Sequence, residues 1–264
     1  VKNLTDDIVH QPLGELYDTA YLHLRNSKSF FTALKVTFGD EYCDVEEQLS
    51  YVRRSDIQKC NEVICTAFRE ESAVLDIGCG AGGFTRIFSK YADHAVGLDI
   101  SEVAVRSACD RSNLLGFKNT SFVNGSFLAL PFEDGAFSVV IALDSIQHAR
   151  PFHASSREIA RVLKPGGTLI FTNWLRLAPL SDLKKGDPLY VALEREGLDV
   201  ISIEDTDPGL ARQVRFYIEL ANRKAEIESE VGSHLLQIFL ADARHIGSMR
   251  KIIQRGLSVA VKQS

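Results

Sequence analysis

Asp144 and His148 stand four residues apart in LDSIQHARPF, positions 143–152. If this piece makes a helical turn, the spacing puts a carboxylate within reach of an imidazole on one side of it. An imidazole in that setting can take the proton of a reacting hydroxyl near neutral pH. The same spacing also suits a capping acid and a partly exposed histidine with no chemistry between them. His10, His23 and His148 show no ligand spacing to nearby acids, so no metal is expected.

A second group of residues suits a nucleoside cofactor. VLDIGCGAGG, positions 74–83, runs from a short apolar segment through glycines into FTRIFSKYA. Gly78 and Gly80 allow a backbone course that a Cβ obstructs, bringing the chain close to a ligand, and the next helix offers unpaired N–H groups. Asp76 repels a pyrophosphate but attracts a cofactor with an amine or cationic portion. Asp99 is placed to accept hydrogen bonds from ribose hydroxyls. It equally suits the cap of a helix beginning at Ser101 or Glu102. Gly78, Gly80 and Gly83 also satisfy GxGxxG, so the glycines alone admit a dinucleotide and hydride chemistry.

Positioning these groups takes alternating strands and helices. AVLDI, HAVGLDI, TSFVNG, AFSVVIAL and TLIFTNW read as strands, the last after a PGG turn, with SEVAVRSACDRSNLLG and HASSREIARVL as helices between them. That order predicts an open, mostly parallel sheet with ligand-binding loops at the strand C-termini. Upstream, Phe30, Phe31, Leu34 and Phe38, then Ile57, Cys60, Ile64 and Phe68, recur at helical spacing and predict a helical cap over 1–70. Downstream, the pattern predicts a helix at 187–196, a strand at 197–205, two helices within 210–247 and a strand at 256–262. The helical stretch lies where a substrate-side wall can be built, and structural padding fits its pattern as well.

The 264 residues are 45% hydrophobic with a formal charge of -5, enough for one substantial α/β core and without a broad basic field. Nucleic acid is a poor candidate partner. Cys43, Cys60, Cys65, Cys79 and Cys109 form an odd set without CxxC spacing, which supports neither a disulfide framework nor a zinc site. VKNLTDDIVHQP lacks an apolar signal core and no segment approaches eighteen uncharged apolar residues, predicting a cytoplasmic protein with no membrane partner.

VLDIGCGAGG, VGLDIS, GSFLALPFEDGAFSVVIALDSIQHA and REIARVLKPGGTLIFTNW follow one another over 72–174. Together they resemble the successive motifs of class I S-adenosylmethionine-dependent methyltransferases of the small-molecule (phosphobase, sarcosine and natural-product) type. The resemblance implies an α/β, Rossmann-like seven-stranded sheet with an antiparallel final strand, an N-terminal helical cap and a helical insertion before that strand. It also implies S-adenosylmethionine as cofactor, with Asp76, Gly78 and Gly80 around the methionine moiety, Asp99 on both ribose hydroxyls, Ile100 against adenine and Leu143 in the same site. Many relatives carry an Asp after the glycine near the end of the next strand, which meets the adenine amine. Here Gly125 and Ser126 stand at that pair, so the Ser126 hydroxyl or the Phe127 backbone is expected to replace the contact.

In phosphobase enzymes the histidine at this position works with a tyrosine of the N-terminal region, which implies Tyr17 or Tyr21 as partner of His148. Other relatives use the histidine in O-methylation or to shape the cofactor pocket. Where relatives end the fifth strand in ITDW or ITDY, this chain has FTNW. Asn173 there hydrogen-bonds without charge, Trp174 suits a substrate wall or the core, and Asp205 is a candidate pocket carboxylate. The expected protein is a monomer or homodimer with a cap over 1–70 and a core over 71–264, of which 175–196 and 206–255 contribute to the acceptor pocket or lid. Its expected reaction is methyl transfer to a small molecule, first O-methylation of a specialised metabolite. The alternatives are N-methylation of a small amine or phosphobase, C-methylation of a natural product, or cofactor binding without catalysis.

Overall fold

The computed structural model describes residues 13–45, 47–67 and 72–263; His10 and Phe68 lie outside them. Seven strands form one sheet: β1 (Ala73–Ile77), β2 (His94–Asp99), β3 (Thr120–Asn124), β4 (Phe137–Ala142), β5 (Leu163–Arg176), β6 (Leu198–Asp205) and β7 (Ile253–Lys262). Their order is β3-β2-β1-β4-β5-β7-β6. β1 pairs in parallel with β2 and β4, whereas β7 runs antiparallel between β5 and β6. Strand order reverses between β1 and β4, the topological switch where α/β sheets open a ligand crevice.

β1 and β4 are mostly apolar and buried along nearly their whole length because helices cover both faces. On one face, α3 (Arg54–Ala67) sets Ile57, Cys60 and Ile64 against Val74, Val139, Ile141 and Ile170. On the other, α6 (Phe152–Val162) and α8 (Pro188–Arg195) set Ile159, Val162, Tyr190 and Leu193 against Leu75, Val140, Leu169 and Phe171. Between α6 and α8 runs the short α7 (Leu180–Gly186). α4 (Gly83–Phe88) follows the glycine loop, and α5 (Glu102–Leu114) follows β2.

Within the described residues, the cap holds α1 (Leu13–Leu24) and α2 (Lys28–Phe38). Ser27 Oγ accepts the Phe30 amide at 3.1 Å, starting α2 with a side-chain cap. The segment expected to hold two helices holds three, α9 (Ala211–Asn222), α10 (Lys224–Val231) and α11 (Ser233–Met249), because the helical course is interrupted at Arg223 and at Gly232, whose φ is 84°. Their apolar faces meet α2, with Phe216, Leu220, Leu235 and Leu236 packed around Phe30, Leu34 and Phe38. β5 starts earlier than expected, at Leu163: its pairing steps from Phe137↔Leu163 to Val139↔Thr168, so the PGG turn is a bulge within the strand. β7 also starts earlier, which brings Arg255 into register opposite Trp174.

Candidate cofactor and acceptor site

A cavity of about 380 Å³ lies at the C-terminal ends of β1, β2 and β4, beneath the cap. Tyr17, Tyr21, Asp76, Gly78, Gly80, Asp99, Ile100, Ser126, Phe127, Leu143, Asp144 and His148 all line it. Residues 48–50 of the cap close it from above.

The glycine loop is shaped by its own protein neighbours. Gly78 and Gly80 take φ of 77° and 54°, in the left-handed region that favours glycine. A Cβ on Gly78 would lie 2.4 Å from Ser145 Cβ, and one on Gly80 would lie 2.0 Å from Tyr21 Oη. The space expected to admit a ligand is therefore already taken at these two atoms by side chains of the protein.

Asp99 is fixed by the amides of Gly80 (2.8 Å) and Ser101 (2.9 Å), one on each carboxylate oxygen. Each oxygen keeps a lone pair for a ribose hydroxyl. The cap of α5 comes from Ser101, whose Oγ accepts the Ala104 amide at 3.0 Å, so Asp99 is not the capping side chain. Asp76 is buried, and its Oδ2 accepts a 2.6 Å bond from Thr85. Burial pushes its pKa up to about 7, the Thr85 bond opposing and Asp99 adding to the rise. Among the described residues no cation pairs with Asp76, so the buried acid fits a ligand with a positive group. Ile100 is 38% exposed, an apolar surface suited to adenine. Ser126 Oγ accepts the Leu128 amide at 3.2 Å and remains able to donate.

Tyr17 Oη lies 3.1 Å from His148 Nε2, their rings edge to face with centroids 5.9 Å apart. Of the two candidate tyrosines, Tyr17 makes this contact and Tyr21 packs on Gly80. Burial lowers the His148 pKa below its ordinary value, against the opposing pull of Asp144. Burial, then Asp99 and Asp144, raise that of Tyr17. Near neutral pH the phenol is thus the donor and the neutral imidazole the acceptor.

Of the two readings the Asp144–His148 spacing left open, the contact between them is not made. Asp144 Oδ1 accepts from Thr172 Oγ1 at 2.7 Å and from Arg255 Nε at 2.9 Å, and Oδ2 accepts the Tyr51 amide at 2.8 Å. Asp144 has a φ of 51°, and the turn Ile146–His148 that follows carries the imidazole away to Tyr17. Arg255 also reaches Asp56 (3.2 Å), which Arg53 grips at 2.6 Å. Arg255 was not legible as a site residue; its one signal was an arginine immediately before the apolar strand GLSVAVK.

Asn173, Trp174 and Asp205 do not line the cavity. Thr172 faces Asp144, so the pleat turns the next residue, Asn173, to the opposite face, where it is buried. Trp174 Nε1 donates to Gln213 Oε1 at 2.7 Å, and its ring meets Tyr51 edge-on. Asp205 ends the edge strand β6 and accepts the Asp207 amide at 3.0 Å. Among the described residues, none of 175–196 or 206–255 lines this cavity; α9–α11 instead brace α2.

This sheet order, with a glycine loop and a strand-end acid at the switch point, defines a class I methyltransferase fold. Residues 75–171 match the family model described as a methyltransferase domain. Buried Asp76, the remaining lone pairs of Asp99 and the apolar Ile100 would suit a cofactor with positive, ribose and adenine parts, as S-adenosylmethionine has. The chain is similar to the sterol 24-C-methyltransferase ERG6B of Gibberella zeae, 37% identical over 118 residues, 44% of this chain and 30% of that protein. It is also similar to a glycine/sarcosine/dimethylglycine N-methyltransferase of Actinopolyspora halophila, 33% identical over 162 residues, 61% of this chain and 27% of that protein. The chain thus spans under a third of the length of these two curated relatives. Among solved structures, the [4+2]-cyclase SpnF superposes with a TM-score of 0.70 at 22% identity, covering 95% of both chains. Haemonchus contortus phosphoethanolamine N-methyltransferase 2, in complex with S-adenosyl-L-methionine, superposes at 0.65 and 17% identity, over 94% of this chain and 60% of that one. At these identities the two structures bear on the fold alone.

Proposed function

We propose that this protein transfers a methyl group from S-adenosylmethionine to a hydroxyl of a small specialised metabolite. The observation that carries the reading is the Tyr17–His148 contact at 3.1 Å in the cavity that also holds the glycine loop, Asp76 and Asp99. S-adenosylmethionine supplies an electrophilic methyl on a positively charged sulfur. Asp76 attracts the positive portion, Asp99 accepts from the ribose hydroxyls, and Ile100, Ser126, Phe127 and Leu143 enclose the adenine end. The cap lines the cavity through Tyr21 and Leu49, and these would help position the acceptor against the methyl group.

An acceptor hydroxyl that donates to Tyr17 Oη has a path for its proton: it passes to Tyr17 as the Tyr17 proton passes to His148 Nε2. The lowered His148 pKa keeps the imidazole neutral and ready to accept it. The acidic balance of the chain favours a small acceptor over a polyanion. Relatives named for N- and for C-methylation make those the alternatives, and cofactor binding without transfer is a third.

The test is incubation of the protein with S-adenosylmethionine labelled in its methyl group and fractionated small-molecule extracts, followed by identification of the labelled product. An O-methyl product is expected. Label on nitrogen or carbon overturns the hydroxyl assignment, and cofactor binding with no labelled product from any fraction overturns methyl transfer.

A further inference from the structure

We infer that Arg150 is the anion-binding residue of this cavity, taking a carboxylate or phosphate of a bound ligand; the inference rests on the methyltransferase reading above. The cavity is lined by four carboxylates, Glu47, Asp76, Asp99 and Asp144, and Arg150 is the one lysine or arginine among the described residues that line it. An anion entering so negative a space needs a countercharge at the point of contact.

Each acid already has an internal partner. Asp144 is held by Arg255, Asp99 by two backbone amides, Asp76 by Thr85, and Glu47 accepts from Ser107 Oγ at 3.2 Å. Among the described residues no carboxylate forms an ion pair with Arg150, even though four share its cavity. Its guanidinium carbon sits 4.5 Å from the centroid of the Phe152 ring. That contact holds the planar group by its face and leaves its N–H edge, the part that matches a carboxylate or phosphate with two parallel bonds, for a ligand. Arg150 follows His148 by two residues, so the turn that carries the imidazole also carries the cation.

Two ligands bring an anion to this cavity: the cofactor, through the carboxylate of its amino-acid part, and an acceptor bearing an acidic group. Calorimetry separates them with three probes, S-adenosylhomocysteine, 5′-methylthioadenosine, which lacks the amino-acid part, and inorganic phosphate added to protein saturated with S-adenosylhomocysteine. Each is titrated into the parent, Arg150→Gln and Arg150→Lys proteins. Loss of about tenfold or more in S-adenosylhomocysteine affinity for Arg150→Gln, with 5′-methylthioadenosine unchanged and partial recovery in Arg150→Lys, assigns the cofactor carboxylate. Unchanged binding of both nucleosides, with phosphate binding present in the parent and lost in Arg150→Gln, assigns an acidic group of the acceptor. Equal loss for both nucleosides, or no change with any probe, overturns the inference. Failure of the parent itself to bind S-adenosylhomocysteine would overturn the methyltransferase reading instead, so the two failures are distinct.

Discussion

Arg255 Nε lies 2.9 Å from Asp144 Oδ1, tying the last strand of the sheet to the floor of the cavity. Both side chains are buried, and the same guanidinium reaches Asp56 on α3. The Asp144 carboxylate in turn holds the Tyr51 amide, which ends the cap segment over the cavity. Three parts of the chain remote in sequence meet at one ion-pair network.

Arg255→Met should leave Asp144 without its cation and weaken the hold on Asp56, at a cost of about 3–5 kcal/mol. Arg255→Met/Asp144→Asn should recover a substantial part of the loss, because the second change removes the stranded charge. Urea unfolding of the parent, single and double variants measures this; a single variant within about 0.5 kcal/mol of the parent would show that the network contributes nothing net.

His148 should govern the acidic limb of the reaction. Its folded pKa lies below the unfolded reference of about 6.5, so the neutral, proton-accepting form persists below that pH and the limb should fall on the acid side of it. His148→Asn should abolish the limb and cost about 100-fold in single-turnover rate with cofactor affinity retained. Tyr17→Phe should lower the rate without removing the limb. A parent-like pH profile in His148→Asn would leave the residue as pocket wall.

Asp76 couples cofactor binding to pH in the same direction, through a different proton. Its pKa of about 7 in the free protein means that below neutrality the carboxyl is protonated, and a positive ligand must expel that proton to bind. Affinity for S-adenosylhomocysteine should therefore rise with pH and level off above about 7, with a limiting slope of about tenfold per pH unit below it. The same elevation makes the stabilising contribution of the neutral acid complete below about pH 3.9 and lost as pH rises through about 7. Titrations in buffers of different ionisation enthalpy should show proton release in the parent and a smaller release in Asp76→Asn; identical release in both would exclude Asp76 as its source.

Gly80 and Tyr21 should be energetically coupled. Gly80→Ala adds a Cβ 2.0 Å from Tyr21 Oη and 3.0 Å from Cζ, at a φ of 54°. The backbone strain alone costs about 1–3 kcal/mol, and the clash adds to it. Tyr21→Phe removes the nearest atom, so the double variant should be more stable than the sum of the single effects predicts. A double-mutant cycle measures the coupling, and strict additivity would show that the phenol moves aside freely.

The architecture was legible because period and punctuation agree. β1 and β4 announce buried parallel strands, and the Gly78–Gly83 run marks a tight strand-to-helix passage. What failed was anything set by register or by distant partners. FTNW gives no sign of which face of β5 Asn173 takes until Thr172 is seen to reach Asp144. The i, i+4 spacing of Asp144 and His148 suggested a contact that the turn Ile146–His148 does not make. Tyr17 and Tyr21, also four residues apart, share a face of α1, and pattern alone cannot separate them. In the fold one meets His148 and the other fills the hollow at Gly80. Arg255 was hidden because its partners, Asp56 and Asp144, are far from it in sequence.

The packing of α9–α11 on α2 bears on how this chain can be recombined with others. A chimera that exchanges only the segment between β6 and β7 would import none of the described cavity residues, yet would replace the surface on which Phe30, Leu34 and Phe38 rest. The donor helices would have to fit the recipient's α2, so the working unit of exchange is the pair, α2 together with α9–α11. Grafts that keep the pair intact should preserve the seating of Tyr17 over His148, and those that split it should loosen that seating without touching either residue.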